Sequence, residues 1–207
     1  MPVLNRNEVA RPDSVWQDAP ISLALREHVN RHSAAVVWFT GFSGAGKTTL
    51  ANAVNHVLFQ ASCNTIVLDG DTVRKGLCSD LDFSVAARHE NMRRMGHVAR
   101  MFFDSGSIVL ASFISPLRQD RDMIRALLPQ GRFFEIHCQA TLAACEARDV
   151  KGLYKRARAG MIAEFTGISA PYEVPHHPEL SVDTAHQSVE HCVMQVIELL
   201  TGQHIIR

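Results

Sequence analysis

The chain has 207 residues, 46% of them hydrophobic, and Lys plus Arg balance Asp plus Glu at 21 each. This length suits one domain, because about 150 residues per domain is a soft expectation. The balanced charge excludes a global field that would favour nucleic acid or an anionic membrane. The five cysteines form no C-x-x-C pair, and we find no leader and no apolar run of about 18 residues. We therefore expect a cytoplasmic protein with no nucleic-acid or membrane partner.

The first half of the chain alternates apolar runs with helical patterns. Residues 34–40 are predicted to form a buried strand, and residues 48–60 repeat apolar side chains at helical spacing. A short strand is predicted at 65–68. Ser84 is a suitable N-cap for a helix over 85–104. The face of that helix that we assign to the core carries Met92, Met95, Ala99, Phe102 and Phe103.

The second half continues the alternation but contains one interruption. The elements predicted here are a strand at 107–113, a helix at 118–128 ended by Pro129, a strand at 132–138, a helix at 142–148, a strand at 180–182 and a helix striped by apolar residues from 189 to 200. Residues 149–178 hold three prolines, three glycines and several cations, so we expect a mobile lid there.

This order of elements predicts both the fold class and the domain division. Strands that alternate with helices favour an α/β fold, in which helices cover both faces of a parallel sheet. We expect an N-terminal extension, residues 1–33, to which we assign no role. One α/β domain, residues 34–207, follows it and contains the lid.

A phosphate-binding motif stands between the first predicted strand and the following helix. Residues 41–48, GFSGAGKT, match G-x-x-x-x-G-K-[ST] at every fixed position. Glycines let backbone N–H groups wrap around phosphate oxygens at a helix N-terminus, Lys47 reaches the β and γ phosphates, and the Thr48 hydroxyl can hold Mg²⁺. The alternative is a glycine-rich turn with a chance lysine, but the strand and helix around it are the context that the motif requires.

Two carboxylates follow the second predicted strand, in the stretch Leu68-Asp69-Gly70-Asp71. Ligands of open parallel sheets bind at the carboxyl ends of strands. One carboxylate can therefore serve a metal while the other accepts a hydroxyl proton, an arrangement that suits phosphoryl transfer to an alcohol. The alternative is an Asp-Gly turn with two solvated acids.

Cations are dense near the same predicted edge. A first group comprises Arg74, Arg88, Arg93 and Arg94. An ordinary solvated face remains an equal alternative for the last two. A second group comprises Arg148, Lys151, Lys155, Arg156 and Arg158. Beside a phosphate loop, this second group favours a lid that neutralises the transferring phosphate and excludes water.

The motif set resembles the adenylylsulfate kinase family, which uses ATP to phosphorylate the 3′-hydroxyl of adenosine 5′-phosphosulfate. The motifs that carry this resemblance are GFSGAGKTT, LDGDTVRKGL, DFSVAARHENMRRMGHVAR, FISPLRQDR, CEARDVKGLYKRARAG, FTGI and PYEVP, within residues 36–184. The resemblance implies a P-loop NTPase-type three-layer fold with a five-stranded parallel sheet and a basic lid. It also implies ATP, Mg²⁺, a homodimer and a place in sulfate assimilation, and it leaves open a functional coupling to ATP sulfurylase.

The resemblance also implies roles for individual residues. For ATP it implies Gly41, Phe42, Ser43, Gly44, Ala45, Gly46, Lys47, Thr48 and Thr49, with Cys145, Arg148 and Thr184 near the base. For the sulfonucleotide it implies Arg74, Phe83, Arg88, Asn91, Ile114, Ser115, Lys151 and Phe165. The implied catalytic residues are Lys47, Asp69, Asp71 and Ser115, with Thr48 and Asp69 as metal ligands.

These assignments are chemically sensible. Phe83 and Phe165 can sandwich a purine, although the residue types alone would assign both to the core. Arg74 and Arg88 can fork onto phosphosulfate oxygens. We favour Asp71 as the base, but swapped roles for the two acids stay open.

Ser115 stands where the family pattern is often described as carrying a phosphoserine intermediate. A covalent nucleophile normally needs an activating base. His89 and His97 lie a helix away from it in the sequence. We therefore expect Ser115 to contact the acceptor while phosphate passes directly, with the covalent route as the alternative.

Three residues depart from the family pattern: Asp82, Val150 and Glu164 stand where Gly, Pro and Asn are usual. None of these changes removes a catalytic group, but Asp82 puts a negative charge beside an anion site and puts substrate affinity in doubt. His176 and His177 have no partner at metal-ligand spacing, so we expect surface histidines.

Two other functions were weighed. A GTPase-like switch is disfavoured because N-K-x-D is absent and the only D-x-x-G, residues 149–152, falls inside the predicted lid. A related kinase for a small alcohol such as a sugar acid would use the same loop. Two Phe residues flanked by Arg favour an aromatic anionic acceptor instead.

Overall fold

A computed structural model describes residues 21–207 of the chain. The elements in chain order are α1 (Leu23–Asn30), β1 (Ala35–Thr40), α2 (Lys47–Gln60), β2 (Thr65–Asp69), α3 (Gly70–Val73), α4 (Val85–Asp104), β3 (Ile108–Ser112), α5 (Arg118–Arg125), β4 (Phe133–Gln139), α6 (Leu142–Arg148), α7 (Leu153–Arg158), β5 (Leu180–Asp183) and α8 (Val189–Gly202).

The five strands form one parallel sheet in the order β2-β3-β1-β4-β5. All residues of β1 and β3 are buried, because both strands lie inside the sheet and are covered on both faces. The register pairs Asp69 with Ser112 and Ser112 with Phe39. The ends of β2, β3 and β1 therefore meet at the edge where the phosphate loop begins.

Side chains of β1 alternate between two hydrophobic cores. Val37 and Phe39 point to the core that α2 and α8 cover. Val36 and Trp38 point to the core that α4 and α5 cover. This is the three-layer α/β arrangement that the alternating pattern predicts.

The helix over 85–104 is confirmed with both its ends. Ser84 caps it by accepting a hydrogen bond of 3.2 Å from the amide of Ala87. Of its predicted core face, Met92, Met95, Ala99 and Phe103 are buried, and Phe102 packs partly buried against them.

Helix α5 is shorter than predicted. Its regular part ends at Arg125, and the amides of Leu127 and Leu128 then donate to the carbonyls three residues earlier, at 3.0 and 3.1 Å. The last turn before Pro129 is thus tightened, as helix ends often are.

Three short helices, α1, α3 and α7, were not predicted. Helices α3 and α7 have 4 and 6 residues, too few to show a clear periodicity. Helix α7 lies inside the predicted lid, and its Tyr154 is only 1% exposed. The lid is therefore partly structured, and its mobility stays a prediction.

The predicted extension lies partly outside the described residues, which begin at 21. From there, α1 is attached to the domain. Glu27 accepts a hydrogen bond of 2.8 Å from the amide of Ala34 and pairs with Arg132 at 3.2 Å. Asn30 donates to the carbonyl of Gly106 at 2.9 Å.

Candidate active site

The phosphate loop joins β1 to α2 and depends on its glycines. Gly41 has φ +147°, and a Cβ there would lie 2.7 Å from the carbonyl oxygen of Cys138. Gly44 has φ +77°, and a Cβ there would lie 3.2 Å from the carbonyl of Cys145. Larger residues would be strained or would clash at both positions. The loop is thus held against the ends of β4 and α6.

Lys47 begins α2 and folds back over this loop. Its ammonium group donates to the carbonyls of Gly41 and Phe42 at 3.0 and 2.7 Å. The side chain is buried, and the loss of hydration lowers the pKa of Lys47 to about 8. A bound polyphosphate would supply the negative charge that this desolvated cation needs.

The next residue, Thr48, joins the loop to the ends of two strands. Its hydroxyl donates to Oδ2 of Asp69 at 2.8 Å and lies 3.0 Å from the hydroxyl of Ser112. Oδ1 of Asp69 caps α3 by accepting from the amides of Asp71 and Thr72 at 3.0 and 3.2 Å. The result is a group of hard oxygen atoms beside the loop.

Asp71 lies two residues beyond Asp69, in the first turn of α3, and is exposed. Its Oδ2 forms an ion pair with Nζ of Lys151, which the predicted lid contributes. The side chains are 63% and 58% exposed, and a pair so exposed contributes little stability. A ligand can therefore separate the two groups.

Two guanidinium groups flank the Phe83 ring. Cζ of Arg74 and of Arg88 lie 4.4 and 5.6 Å from its centroid. Burial lowers the pKa of both arginines, and the Arg74 charge further lowers that of Arg88. Phe83 itself is 56% exposed, which makes it an aromatic surface with two cations beside it and not a core residue.

Asn91 and Ser115 are both buried polar residues of this region, each 2% exposed. With its oxygen turned toward Arg74, the Asn91 amide accepts hydrogen bonds of 3.3 and 3.2 Å from Nε and Nη2 of that arginine. The Ser115 hydroxyl accepts from Trp38 Nε1 at 3.1 Å and donates to Thr40 at 3.0 Å. No carboxylate or imidazole of the described residues hydrogen-bonds to this hydroxyl.

The predicted lid segment contacts the phosphate loop. The hydroxyl of Tyr154 donates to the carbonyl of Ser43 at 2.8 Å. Phe165 packs edge-on against Tyr154 with ring centroids 5.0 Å apart and is only 7% exposed. Arg148 donates to the carbonyls of Gly44 and Thr184 at 3.3 and 2.7 Å, which closes one side of the loop.

Most of these groups line one cleft of about 1740 Å³. Sites for a single drug-sized ligand have roughly 300–1,000 Å³, so this cleft has room for two nucleotides. The predicted residues that line it are Ser43, Gly44, Gly46, Lys47, Thr48, Thr49, Asp69, Asp71, Arg74, Phe83, Arg88, Asn91, Ile114, Ser115, Arg148, Lys151, Phe165 and Thr184.

Four predicted residues do not line the cleft: Gly41, Phe42, Ala45 and Cys145. Phe42 packs against Tyr172 with ring centroids 4.9 Å apart. Ala45, within the loop, and Cys145, on α6, are fully buried. The side chains of these two residues belong to the hydrophobic core on which the loop rests.

The sequence reasoning missed some residues of the site. Ser112, beside Thr48, is one of them, although a serine at the end of a predicted strand was a usable signal. Gln187 and Ser188, at the start of α8, also line the cleft. Nothing in their local pattern distinguishes them from an ordinary helix start.

Some candidate residues lie elsewhere. Arg93 and Arg94 pair with Glu90 at 2.6 and 2.9 Å and do not line the cleft, which favours a surface role. His176 and His177 are exposed, as expected. Residues 21–207 contain no group of three His, Cys, Asp or Glu side chains suited to a metal, and no helix there is long and apolar enough to cross a membrane.

Comparisons with known proteins agree with this geometry. Residues 33–183 match the family model described as adenylylsulphate kinase. An adenylyl-sulfate kinase of Acaryochloris marina is 52% identical over 193 residues, 93% of this chain and 94% of that protein. The structure of an APS kinase of Mycobacterium tuberculosis in complex with AMPPNP and APS superposes with a TM-score of 0.79 at 44% identity, covering 82% of this chain and 99% of that one.

A hexameric APS kinase of Thiobacillus denitrificans is also similar, with a TM-score of 0.63 and 34% identity over 88% of this chain and 31% of that one. The family match spans most of the α/β domain. The matched residues include the phosphate loop, the two acids and the Phe83 ring with its two arginines. The chain therefore belongs to the adenylylsulphate kinase family.

Proposed function

We propose that this protein transfers the γ-phosphate of ATP to the 3′-hydroxyl of adenosine 5′-phosphosulfate, giving 3′-phosphoadenylylsulfate and ADP in sulfate assimilation. One observation carries the proposal. A single cleft is lined by the phosphate loop, which we assign as the donor end, by the Phe83 ring with Arg74 and Arg88, which we assign as the acceptor end, and by the Asp71 carboxylate. Family membership independently supports the same reaction.

The donor end binds ATP through the phosphate loop. We assign Lys47 to the β and γ phosphates, where its charge offsets the charge that develops during transfer. Arg148 and Thr184, next to Gly44 and Gly46, would border the base. Cys145 supports the loop from behind.

The oxygen atoms beside the loop suit Mg²⁺. Thr48 and Asp69 are hard ligands, and Mg²⁺ commonly takes one or two protein oxygens together with phosphates and water. When bound, Mg²⁺ would offset charge on the β and γ phosphates. Thr48 and Asp69 would hold it, and Ser112 would orient the Thr48 hydroxyl.

The acceptor end suits an aromatic dianion. The adenine would stack on Phe83, with Phe165 also lining the cleft, and the phosphosulfate would lie against Arg74 and Arg88. Asn91 orients Arg74, while Ile114, Ser115 and Lys151 complete the pocket. A sugar acid would leave the aromatic surface unused.

In the transfer step, the 3′-oxygen of the acceptor forms a bond to the γ-phosphorus, and the bond from that phosphorus to the β–γ bridging oxygen breaks. Asp71 accepts the hydroxyl proton, and ADP leaves with the bonding electron pair. Among residues 21–207 no carboxylate or imidazole hydrogen-bonds to the buried Ser115 hydroxyl, which is hydrogen-bonded to Trp38 and Thr40, and this supports direct transfer.

The test is ATP consumption by purified protein with adenylylsulfate, gluconate, shikimate or no acceptor. We expect turnover with adenylylsulfate alone and identification of the 3′-phosphorylated product by mass spectrometry. Turnover with a sugar acid instead would establish the small-alcohol kinase, and no product at saturating adenylylsulfate would refute the proposal.

Assembly and location extend the proposal. We propose a homodimer, which the family resemblance implies and which light scattering would measure against the hexamer of the similar APS kinase of Thiobacillus denitrificans. We place the protein in the cytoplasm, since each of the five cysteines lies in the described residues and is a free thiol.

The acceptor requires a supplying enzyme, and functional coupling to an ATP sulfurylase would appear as faster flux when both are mixed.

A further inference from the structure

Arg121 is the most deeply buried arginine of the described residues, with only 2% exposure, and its side chain does not line the nucleotide cleft. Its Nε lies 2.6 Å from Oε1 of Glu135 on β4, an ion pair without the alignment of a hydrogen bond, and that carboxylate is 8% exposed. Removing two charges from water is costly unless both are paired and hydrogen-bonded. The two terminal nitrogens of the guanidinium group are therefore expected to find hydrogen-bond acceptors.

These N–H groups hold two backbone segments. Nη1 donates to the carbonyl of Ser115 at 2.5 Å, and Nη2 donates to the carbonyl of Glu173 at 2.7 Å. Glu173 belongs to the segment that returns from the lid, and its amide donates to the carbonyl of Pro116 at 2.8 Å. One side chain on α5 thus joins the turn after β3, the returning segment and β4.

Ser115 needs such support, because its φ is +40°. A non-glycine residue in the left-handed region persists only where its surroundings hold it there. Its hydroxyl is held by Trp38 and Thr40, and its carbonyl is held by Arg121. Ile114 and Ser115 both line the cleft, so a change in this turn changes the wall of the cleft.

We propose that Arg121 is a positioning residue for acceptor binding: its buried guanidinium fixes the left-handed turn at Ser115 and couples it to the segment that returns from the lid. This inference rests on the proposed function, since it takes adenylylsulfate as the acceptor. The phosphate loop lies on other elements, so nucleotide affinity at the donor end is expected to be independent of Arg121.

Arg125 provides a matched control. It lies one turn later on α5 and contacts the same Glu135, at 3.3 Å, together with Glu179 at 2.6 Å. It makes no hydrogen bond to residues 113–118. Arg125→Met therefore removes a similar charge from the same network without touching the turn.

The experiment measures the affinities of adenylylsulfate, in the presence of ADP, and of AMPPNP by calorimetry, with kcat and KM alongside. We expect Arg121→Met to raise the acceptor Kd and KM about tenfold or more, while the AMPPNP Kd stays within about twofold. Arg125→Met should leave both affinities within about twofold. Arg121→Lys, with one compact donor group, should fall between Arg121→Met and the unaltered chain.

Arg121→Met removes the closer of the two arginines that pair with the buried Glu135, and the variant can fail to fold. Arg121→Met/Glu135→Leu removes both charges and keeps the test open. Weak acceptor binding in this folded double variant supports positioning, whereas normal acceptor binding would show that the pair only stabilises the fold. An unaltered chain that does not bind adenylylsulfate would instead refute the proposed function, so the two failures are distinguishable.

Discussion

The hydroxyl of Thr48 donates a 2.8 Å hydrogen bond to Oδ2 of Asp69, which connects the phosphate loop to the end of β2. Asp71, two residues later, points instead to Lys151 of the lid. The two acids therefore have different surroundings, one beside the proposed metal ligand Thr48 and one paired with Lys151, which we assign to the acceptor. This separation supports a division of their roles.

The first prediction concerns that division. Asp69→Asn keeps an oxygen that can cap α3 but weakens the proposed Mg²⁺ site, so raised Mg²⁺ should restore much of its turnover. Asp71→Asn removes the proposed base, and no Mg²⁺ concentration should restore it. Steady-state rates across a Mg²⁺ titration measure both variants. The opposite pattern of rescue would exchange the two roles.

The second prediction follows from the pKa of about 8 for Lys47. Below pH 8 the ammonium form is already present, and above it each pH unit should weaken ADP binding about tenfold, until the higher pKa of the bound state is reached. Calorimetry in buffers of different ionisation enthalpy should detect uptake of about one proton per ADP at pH 9.

Lys47→Ala is the control for this titration. It should abolish the proton uptake, and it should lower turnover by about 10²-fold or more, because a preorganised contact to the transferring phosphate is lost. Near-normal turnover in a folded Lys47→Ala protein would overturn the assignment of this residue.

The third prediction concerns Ser115. Ser115→Ala should keep substantial turnover and raise the acceptor KM, and a chiral γ-phosphate should be inverted, because transfer is direct. The variant should also lose about 1–3 kcal/mol of folding stability, since Trp38 Nε1 then lacks an acceptor. Retention of configuration together with an inactive variant would establish the phosphoserine route.

The fourth prediction concerns the lid. ADP plus adenylylsulfate should protect residues 149–170 from limited proteolysis, because the ligands bring the lid cations into the cleft. Arg156 lines the cleft, whereas Arg158 pairs with Glu146 at 2.9 Å outside it. Arg156→Ala should therefore reduce ligand protection and Arg158→Ala should not. Equal cleavage with and without ligands would argue against closure.

The fifth prediction concerns Asp82, which departs from the family pattern. Its carboxylate accepts from the hydroxyl and amide of Ser84 at 2.7 and 2.9 Å, which holds its pKa below the usual range. Asp82→Asn retains these bonds without the charge and should lower the acceptor KM about threefold, as expected for one solvated charge near an anion.

Asp82→Gly is the matched variant. It loses both the charge and the hydrogen bonds that order the loop before α4, so its KM should improve less than that of Asp82→Asn. An unchanged or higher KM in Asp82→Asn would show that this charge does not disfavour the acceptor.

The local signals in the sequence were sufficient to predict several features. The phosphate loop was predictable because its glycines adopt backbone conformations that are unfavourable for other residues, and because Lys47 stands at a fixed sequence spacing from them. The boundaries of α4 were predictable because Ser84 caps it and its apolar residues repeat at helical spacing. Such signals depend on neighbours within about one helical turn.

Some local interpretations needed the tertiary structure. The two Phe residues of the acceptor end look alike in sequence, and residue type favours burial for both. In the structure, Phe83 is exposed beside two arginines, whereas Phe165 packs against Tyr154. The burial of Phe165 was not predictable, because its partner Tyr154 lies on α7, a helix of 6 residues that is too short to show periodicity.

Only the tertiary structure decided which distant groups meet. Asp71 and Lys151 are separated by 80 residues, and Arg121 reaches Glu173 across 52. Helical and strand periodicities carry no information about strand order, and the order β2-β3-β1-β4-β5 is what brings these segments together. The sequence by itself determined the chemistry of the phosphate loop and the class of fold, while the sheet order decided how Ser115, Arg121 and the returning lid segment are joined.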